Sequence, residues 1–140
     1  MPIIGSNYDK ISVERLKPLS GELKIGSDLT ITGVKFEKIN VGPEEKDVLK
    51  VSYQFLVKYE PKMALIDLSG HLLLMEPEKE LKRIEKDWNK KQVFDDELTM
   101  KLLNNIMART SVKALTLAQE MGLPPHIKLP RVAAKPKDAQ

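Results

Sequence analysis

Alternation of apolar and polar residues is the strongest pattern in the chain, and it runs from Val48 to Tyr59. A period of two is typical of a β-strand that buries one face. The short segment Glu60–Lys62 then predicts a tight connection to an antiparallel partner strand over Met63–Met75. The apolar positions of the first strand are Leu49, Val51, Tyr53, Phe55, Val57 and Tyr59.

Two further strands are expected before this pair. The segment Tyr8–Val13 alternates weakly and predicts a short strand. The segment Leu23–Ile39 predicts a longer strand, in which the apolar parity flips after Gly33. A glycine at such a flip indicates a β-bulge, because a slip of one residue moves every side chain to the other face. The polar run Asn40–Asp47 predicts a loop.

Helical spacing replaces alternation after Pro77. The apolar residues Leu81, Ile84 and Trp88 recur at helical intervals within an otherwise charged segment. This pattern predicts a short helix from Glu78 to about Lys90. Its apolar stripe is narrow and can cover only part of a neighbouring element.

A second and much longer helix is predicted from Asp95 to Gly122. Asp95 or Asp96 suits the N-cap, and Gly122 suits the left-handed position that follows a helix. Pro124 and Pro125 prevent continuation of the helix. On a projection of 100° per residue, the main apolar face is expected to hold Leu103, Ile106, Met107, Ala114, Leu117, Ala118 and Met121.

A smaller apolar strip lies on another side of this helix and consists of Ala108, Val112 and Leu115. One stripe suffices to pack a helix on a sheet. The second strip is therefore covered either by another helix of the same chain or by a partner subunit. The predicted short helix is too thin to cover both stripes.

Composition fits a single α+β domain. The chain has 140 residues, of which 41% are hydrophobic and 31% charged, and this length allows one sizeable core. We expect an antiparallel sheet of about four strands, followed by a short and a long C-terminal helix, over residues 1–132. Residues 133–140 are expected to form a flexible basic tail.

Charge distribution weighs against nucleic-acid binding. The formal net charge is +3, and residues 126–140 account for all of it, so the rest of the chain is neutral. A nucleic-acid binder concentrates positive charge on its folded surface. The aromatic residues Tyr53, Phe55 and Tyr59 share the expected buried face, which favours core packing over base stacking.

The sequence shows no pattern of a common catalytic or metal site, and no nucleophile-elbow motif is present. It has no cysteine, which excludes disulfides and thiol chemistry and makes a cytoplasmic location the default. His71 and His126 are too few for a histidine-based metal site, and no glycine-rich phosphate loop occurs. No apolar run reaches the roughly 20 residues of a membrane span, and no signal peptide is apparent. We therefore expect no enzymatic activity, cofactor, metal or membrane insertion.

The segment after the long helix combines a glycine, three prolines and an apolar run, and it reads Gly122-Leu123-Pro124-Pro125-His126-Ile127-Lys128-Leu129-Pro130-Arg131-Val132. It resembles the SecB family of export chaperones, whose chains likewise follow the long helix with glycine, proline and an apolar segment. Val93-Phe94 also stands where the family has an apolar and aromatic approach to that helix. The order of predicted elements agrees with the family, although its Asn-Phe-Asp continuation is replaced here by Ala133-Ala134-Lys135.

The resemblance implies an ATP-independent chaperone that binds unfolded polypeptide clients in apolar grooves and assembles as a dimer or tetramer. Candidate peptide-binding residues lie near the helix entrance and the last strand, and they are Met75, Val93, Phe94, Leu98, Leu102 and Met107. The candidate oligomer interface is the second strip, namely Ala108, Val112 and Leu115. Methionine suits a promiscuous surface because its side chain is pliable.

Three other functions remain open at this point. The chain could be a small structural or adaptor subunit whose apolar strips contact a fixed folded partner. An enzyme would require a deep pocket that contains His71 together with paired acids. Nucleic-acid binding through the tail would be sensitive to salt and blind to sequence.

Overall fold

A computed structural model of the chain describes residues 3–128 and shows one antiparallel sheet with two helices on one face. The predicted α+β architecture is confirmed. The end of the predicted domain, residues 129–132, and the predicted tail, residues 133–140, lie outside the described residues. The elements are β1 Ile3–Arg15, β2 Lys24–Val41, β3 Glu44–Glu60, β4 Ala64–Leu74, α1 Glu78–Lys91 and α2 Asp96–Glu120.

The four strands lie in the order β1-β4-β3-β2, and each neighbouring pair is antiparallel. Strands β1 and β2 are therefore the two outer strands. Helix α1 packs over β2 and β3, whereas α2 packs over β4. Within residues 3–128, neither helix is long and apolar enough to cross a membrane.

Three strands are longer than their sequence patterns predicted. β1 covers 13 residues rather than Tyr8–Val13. The predicted loop over Asn40–Asp47 is wrong, because β2 continues to Val41 and β3 begins at Glu44. Gly42, with a φ of 65°, turns the chain tightly, so the polar residues on both sides pair across the ladder without contacting the core.

The predicted bulge near Gly33 is confirmed. The register between β2 and β3 shifts between Ile31 and Gly33. This shift keeps Leu29 and Ile31, before the bulge, on the same face as Val34 and Phe36 after it. One outer strand thus presents apolar side chains to the helices along most of its length.

Side chains from β3 and β4 form most of the core. Tyr53, Phe55 and Tyr59 have exposed fractions of 2%, 0% and 1%, which confirms that these aromatic residues are core residues. The core divides into two clusters. The first core cluster is Leu49, Val51, Tyr53, Leu72, Leu74, Leu81, Ile84, Leu98, Leu102 and Ile106. The second core cluster is Phe55, Val57, Tyr59, Met63, Ala64, Ile66, Leu68, Ala114, Ala118 and Leu123.

Helix α2 begins and ends as its sequence predicted. The Asp95 carboxylate accepts a hydrogen bond of 2.9 Å from the Leu98 N–H and caps the first turn. At the other end Gly122 has a φ of 66°. The Leu123 N–H donates to the Ala118 carbonyl at 2.7 Å, which is the six-to-one bond of a Schellman motif.

The buried stripe of α2 differs from the predicted face. It contains every fourth residue, namely Leu98, Leu102, Ile106, Thr110, Ala114 and Ala118. Steps of four advance the stripe by about 40° each time, so it winds round the helix. The projection at 100° per residue wrongly placed Met107 and Met121 on the buried face, since both are exposed. The buried face shifts along the helix because the twisted sheet beneath it changes direction.

Candidate functional site

A groove of about 730 Å³ opens between the outer strand β2, the end of α1 and the start of α2. This volume is within the roughly 300–1,000 Å³ of typical ligand sites. The lining is mainly apolar, and Asp96 is its only charged residue. We call this feature the edge groove and define it by Leu29, Thr30, Ile31, Trp88, Gln92, Val93, Phe94, Asp96, Thr99 and Leu103.

Two helix caps hold the loop at the centre of the edge groove. α1 ends where Gln92 adopts a left-handed conformation with a φ of 59°. The Gln92 backbone N–H and side-chain amide both donate to the Trp88 carbonyl, at 2.7 and 3.1 Å. Since Asp95 then caps α2, only Val93 and Phe94 connect the two caps. The chain therefore positions these two apolar side chains with little conformational freedom.

Aromatic stacking builds one wall of the edge groove. The rings of Trp88 and Phe94 are 5.0 Å apart between centroids and inclined by 22°. Trp88 is 8% exposed, whereas Val93 is 54% exposed. The wall thus combines a buried indole, a half-buried phenyl ring and an open valine side chain.

The opposite wall is the outer strand β2, and its backbone is partly available for hydrogen bonds. At Phe36 the backbone N–H donates to a Glu85 carboxylate oxygen at 2.8 Å instead of to β3. Phe36 and its partner Leu49 therefore form a non-hydrogen-bonded pair.

Pairs of this type recur at every second residue of β3. The same type therefore applies at Tyr53 and Phe55, which lie opposite Ile31 and Leu29. As a result, the N–H and C=O groups of Leu29 and Ile31 point away from β3, at the outer edge of the sheet. An extended polypeptide can add to such an edge as a further strand.

Helix α2 extends the apolar surface beyond the edge groove. Leu103 lines the groove, and Met100 and Met107 lie on the same side of the helix at i−3 and i+4. Their exposed fractions are 63% and 36%. Flexible thioether side chains therefore border the rigid aromatic wall.

The structure brings together some of the predicted peptide-binding residues and separates others. Val93 and Phe94 line the edge groove, and Met107 lies beside it. Met75 is half-buried and is not among the lining residues. Leu98 and Leu102 are 3% and 1% exposed, which places them in the first core cluster rather than on a binding surface.

Sequence reasoning missed Leu29, Ile31, Trp88 and Leu103 as groove residues. Each had an apolar pattern that predicted a core position. Their place at an open edge depends on the strand order, which the spacing of apolar residues within a strand does not determine.

A second pocket of about 500 Å³ lies beside the C-terminal half of α2. Of the candidate interface residues, Val112 and Leu115 line this pocket, whereas Ala108 is exposed and does not. Val112 is 64% exposed, and no element within residues 3–128 covers it. We call this feature the C-terminal pocket and define it by Val112, Leu115, Thr116, Ala118, Gln119, Leu123 and Pro125.

The segment that follows α2 is tied to the sheet. The Arg15 guanidinium donates to the carbonyl oxygens of Met121 and Gly122, at 2.5 and 3.0 Å. The His126 ring meets the Phe55 ring edge-on, with centroids 5.8 Å apart. Burial lowers the pKa of His126, and its ring nitrogens have no hydrogen-bond partner among residues 3–128.

Polar side chains gather on the sheet face that carries no helix. His71 Nδ1 lies 3.0 Å from an Asp9 carboxylate oxygen. Asp67 accepts hydrogen bonds from Lys10, Gln54 and Ser69. His71 lines neither the edge groove nor the C-terminal pocket. Across the part of the chain that the structure describes, no three histidine or acidic side chains cluster as metal ligands would.

Comparison with known proteins bears on the fold. No family model matches the chain, and no curated protein matches it. Among solved structures, it is similar to a SecB-like chaperone of Mycobacterium tuberculosis in complex with a ChAD peptide from the HigA1 antitoxin. The two chains are 12% identical, the match covers 94% of this chain and 89% of the other, and the TM-score is 0.51. The chain therefore has a SecB-like fold, as its sequence resemblance predicted.

Proposed function

We propose that the protein is a non-catalytic, ATP-independent chaperone-like protein that binds unfolded or extended polypeptide in the edge groove. The observation that carries this proposal is the apolar groove beside outward-pointing backbone groups of an outer strand. Apolar side chains of a client bury against Trp88, Val93 and Phe94. Its backbone forms hydrogen bonds at Leu29 and Ile31, which suits many sequences because every residue has a backbone.

The energetics suit a promiscuous binder. Burial of one large apolar side chain contributes roughly 1.5–3 kcal/mol. Two or three such contacts, less the cost of ordering the client, give moderate affinity and allow release. Met100 and Met107 can repack against clients of different shape. The similar solved structure is a SecB-like chaperone with a bound peptide, which supports the same type of ligand here.

Suppression of aggregation tests this proposal. The wild-type protein should keep a chemically denatured client in solution at near-stoichiometric amounts without ATP. Val93→Asp should raise the amount required by roughly tenfold, because it places a charge against an apolar client. Val41→Asp is the matched control, since Val41 is 49% exposed and lies at the β2–β3 turn. Equal loss in both variants, or no protection by the wild type, would contradict the proposal.

A second candidate function is a structural or adaptor subunit. The exposed strip at Val112 and the C-terminal pocket support it, because either surface can accept a fixed partner or a second copy of the chain. Light scattering would give the native mass and test the oligomer proposed through Ala108, Val112 and Leu115. Co-purification with one partner, without general protection of clients, would favour the adaptor function.

A further inference from the structure

Helix α1 packs over the outer strand β2 and reaches its edge with one side chain. The buried residues of this helix are Leu81, Ile84 and Trp88, and Glu85, which follows Ile84, is half-buried. A Glu85 carboxylate oxygen accepts a hydrogen bond of 2.8 Å from the Phe36 N–H. A side chain of α1 therefore occupies a backbone donor that an added strand would otherwise use.

A lysine of the same helix lies over the Phe36 side chain. The Lys82 ammonium is 5.5 Å from the centroid of the Phe36 ring, which is within the range of a cation–π contact. Lys82 also forms an ion pair of 2.6 Å with Glu78, one turn earlier in α1. Two side chains of α1 thus contact Phe36, one at its backbone and one at its ring. Cover of an outer strand by a helix prevents unwanted pairing at that edge.

The β-bulge divides the outer edge of β2 into two parts. In the part before the bulge, the period of two that applies at Leu29 and Ile31 extends back to Ser27 and Ile25. The N–H and C=O groups of these residues therefore point outward as well. We call this part the open edge and define it as Lys24–Ile31, which spans roughly 25 Å.

Phe36 lies in the part of β2 after the bulge. Within residues 3–128, it is the one β2 residue whose backbone N–H donates to a side chain. The two parts of the edge therefore differ in what they offer to an added strand. The open edge adjoins the edge groove through Leu29 and Ile31, whereas the other part is bonded to α1.

We propose that Glu85 is a specificity-determining residue, which closes the outer edge of β2 at Phe36 and confines an added client strand to the open edge. A client that pairs with Leu29 and Ile31 meets the bulge and then a donor that is already bonded. Glu85 thus limits the register and the length of the client segment that pairs with β2. The effect on clients rests on the proposed function, whereas closure of the edge can be tested without a client.

Amide hydrogen exchange measured by NMR tests closure of the edge. Glu85→Ala should speed exchange of the Phe36 amide about tenfold relative to the Glu37 amide of the same protein. Glu37 is the internal reference, because it pairs with Val48 and its N–H points toward β3. Glu85→Gln should restore slow exchange, since its side-chain oxygen still accepts a hydrogen bond. The control is Glu120→Ala at the end of α2, which should match the wild type.

The ratio of the two exchange rates separates opening of the edge from loss of the fold, because global unfolding exposes both amides. An equal ratio in the wild type and Glu85→Ala would overturn the proposal, since the carboxylate would then not be what protects Phe36. The same change in Glu120→Ala, or failure of Glu85→Gln to restore slow exchange, would also overturn it.

A client arm separates this proposal from the proposed function. The client is a peptide of about sixteen residues with alternating leucine and serine, which is long enough to extend past the bulge. In the wild type, the peptide should protect the Leu29 and Ile31 amides and leave the exchange ratio of Phe36 unchanged. In Glu85→Ala it should protect the Phe36 amide as well, by roughly tenfold.

Two outcomes of the client arm are decisive. Protection of Leu29 and Ile31 in both proteins, without protection of Phe36 in Glu85→Ala, would overturn the proposal, because the client strand would then end for another reason. No protection by the peptide in either protein, with the Phe36 amide exposed only in Glu85→Ala, would reject the proposed function and support closure of the edge by Glu85.

Discussion

The hydroxyl group of Tyr59 donates a hydrogen bond of 2.5 Å to the carbonyl oxygen of Pro124, although 65 positions separate the two residues. Burial raises the pKa of Tyr59, which keeps the phenol protonated and able to donate. This bond joins the end of β3 to the segment that follows α2. It therefore anchors the beginning of that segment to the end of β3.

Loss of this bond should be measurable. Tyr59→Phe removes the donor and leaves a carbonyl oxygen without its partner, so it should lower the free energy of unfolding by about 1–3 kcal/mol. The control is Tyr8→Phe, because the Tyr8 hydroxyl lies 3.4 Å from the Arg109 carbonyl in an exposed setting and should contribute less than about 0.5 kcal/mol. Urea titration of both variants tests this difference, and equal midpoints would contradict it.

Gly70 should not tolerate a side chain. A Cβ atom there would lie 2.3 Å from the Asn7 carbonyl oxygen and 2.8 Å from the Tyr53 hydroxyl. Because the first of these atoms belongs to the backbone of β1, relief would require the outer strand to move. Gly70→Ala should therefore destabilise the fold by about 1–3 kcal/mol in thermal or urea unfolding.

Gly26→Ala provides the control for this experiment. Gly26 also lies within a strand, but no atom comes within 4 Å of a Cβ built there. The substitution should be neutral or should stabilise by up to about 1 kcal/mol, since alanine lowers the entropy of the unfolded chain. Comparable destabilisation by both substitutions would show that the close contact at Gly70 is unimportant.

Core and surface positions on α2 should respond differently to truncation. Leu102 is 1% exposed and Met100 is 63% exposed, although both are apolar residues of the first half of the helix. Leu102→Ala should cost about 2–5 kcal/mol through lost burial and the cavity left behind. Met100→Ala should change stability by less than about 0.5 kcal/mol. A stability effect at Met100 as large as that at Leu102 would contradict the winding buried stripe.

Acid should weaken the attachment of the segment that carries His126. Burial lowers the pKa of this residue from its ordinary 6.5, so the folded chain binds its proton less readily than the unfolded chain. The stability contribution is therefore complete above about pH 6.5, decreases as the pH falls below 6.5, and levels off below the folded pKa. His126→Phe removes the titrating group and retains an aromatic ring against Phe55.

Unfolding titrations between pH 8 and pH 5 would measure this effect. The free energy of unfolding of the wild type should fall relative to that of His126→Phe as the pH falls. His71→Phe serves as a comparison, since His71 lies near Asp9 on the helix-free face and far along the chain from this segment. A pH-independent difference between the wild type and His126→Phe would reject the assignment.

The sequence predicted an element of the fold correctly where the interactions that form it join residues close together in the chain. Asp95 and Gly122 act through capping bonds with residues a few positions away, so the limits of α2 were predictable. Gly33 indicated the bulge, because the change in the alternation of apolar residues can be seen within the sequence of a single strand. The β2–β3 turn was harder to predict from the sequence. The polar residues around Gly42 are extended only because they pair with each other across the two strands.

The candidate site was only half predictable for a related reason. Val93 and Phe94 stand out in sequence as apolar residues between two helices. Leu29 and Ile31 become groove residues only because β2 is an outer strand, and strand order depends on contacts between distant parts of the chain. The error at Met107 arose because a fixed projection does not follow the path of a long helix over a twisted sheet.

The core is divided into two clusters, and only the first lies beside the edge groove. The edge groove adjoins the first core cluster, whereas the Ala114 and Ala118 side of α2 holds the second, and Leu29 packs against both. Under the proposed function, substitutions around the edge groove should change ligand preference while the second core cluster keeps sheet and helix joined. Laboratory evolution aimed at new clients should start with libraries at Val93, Met100 and Leu103.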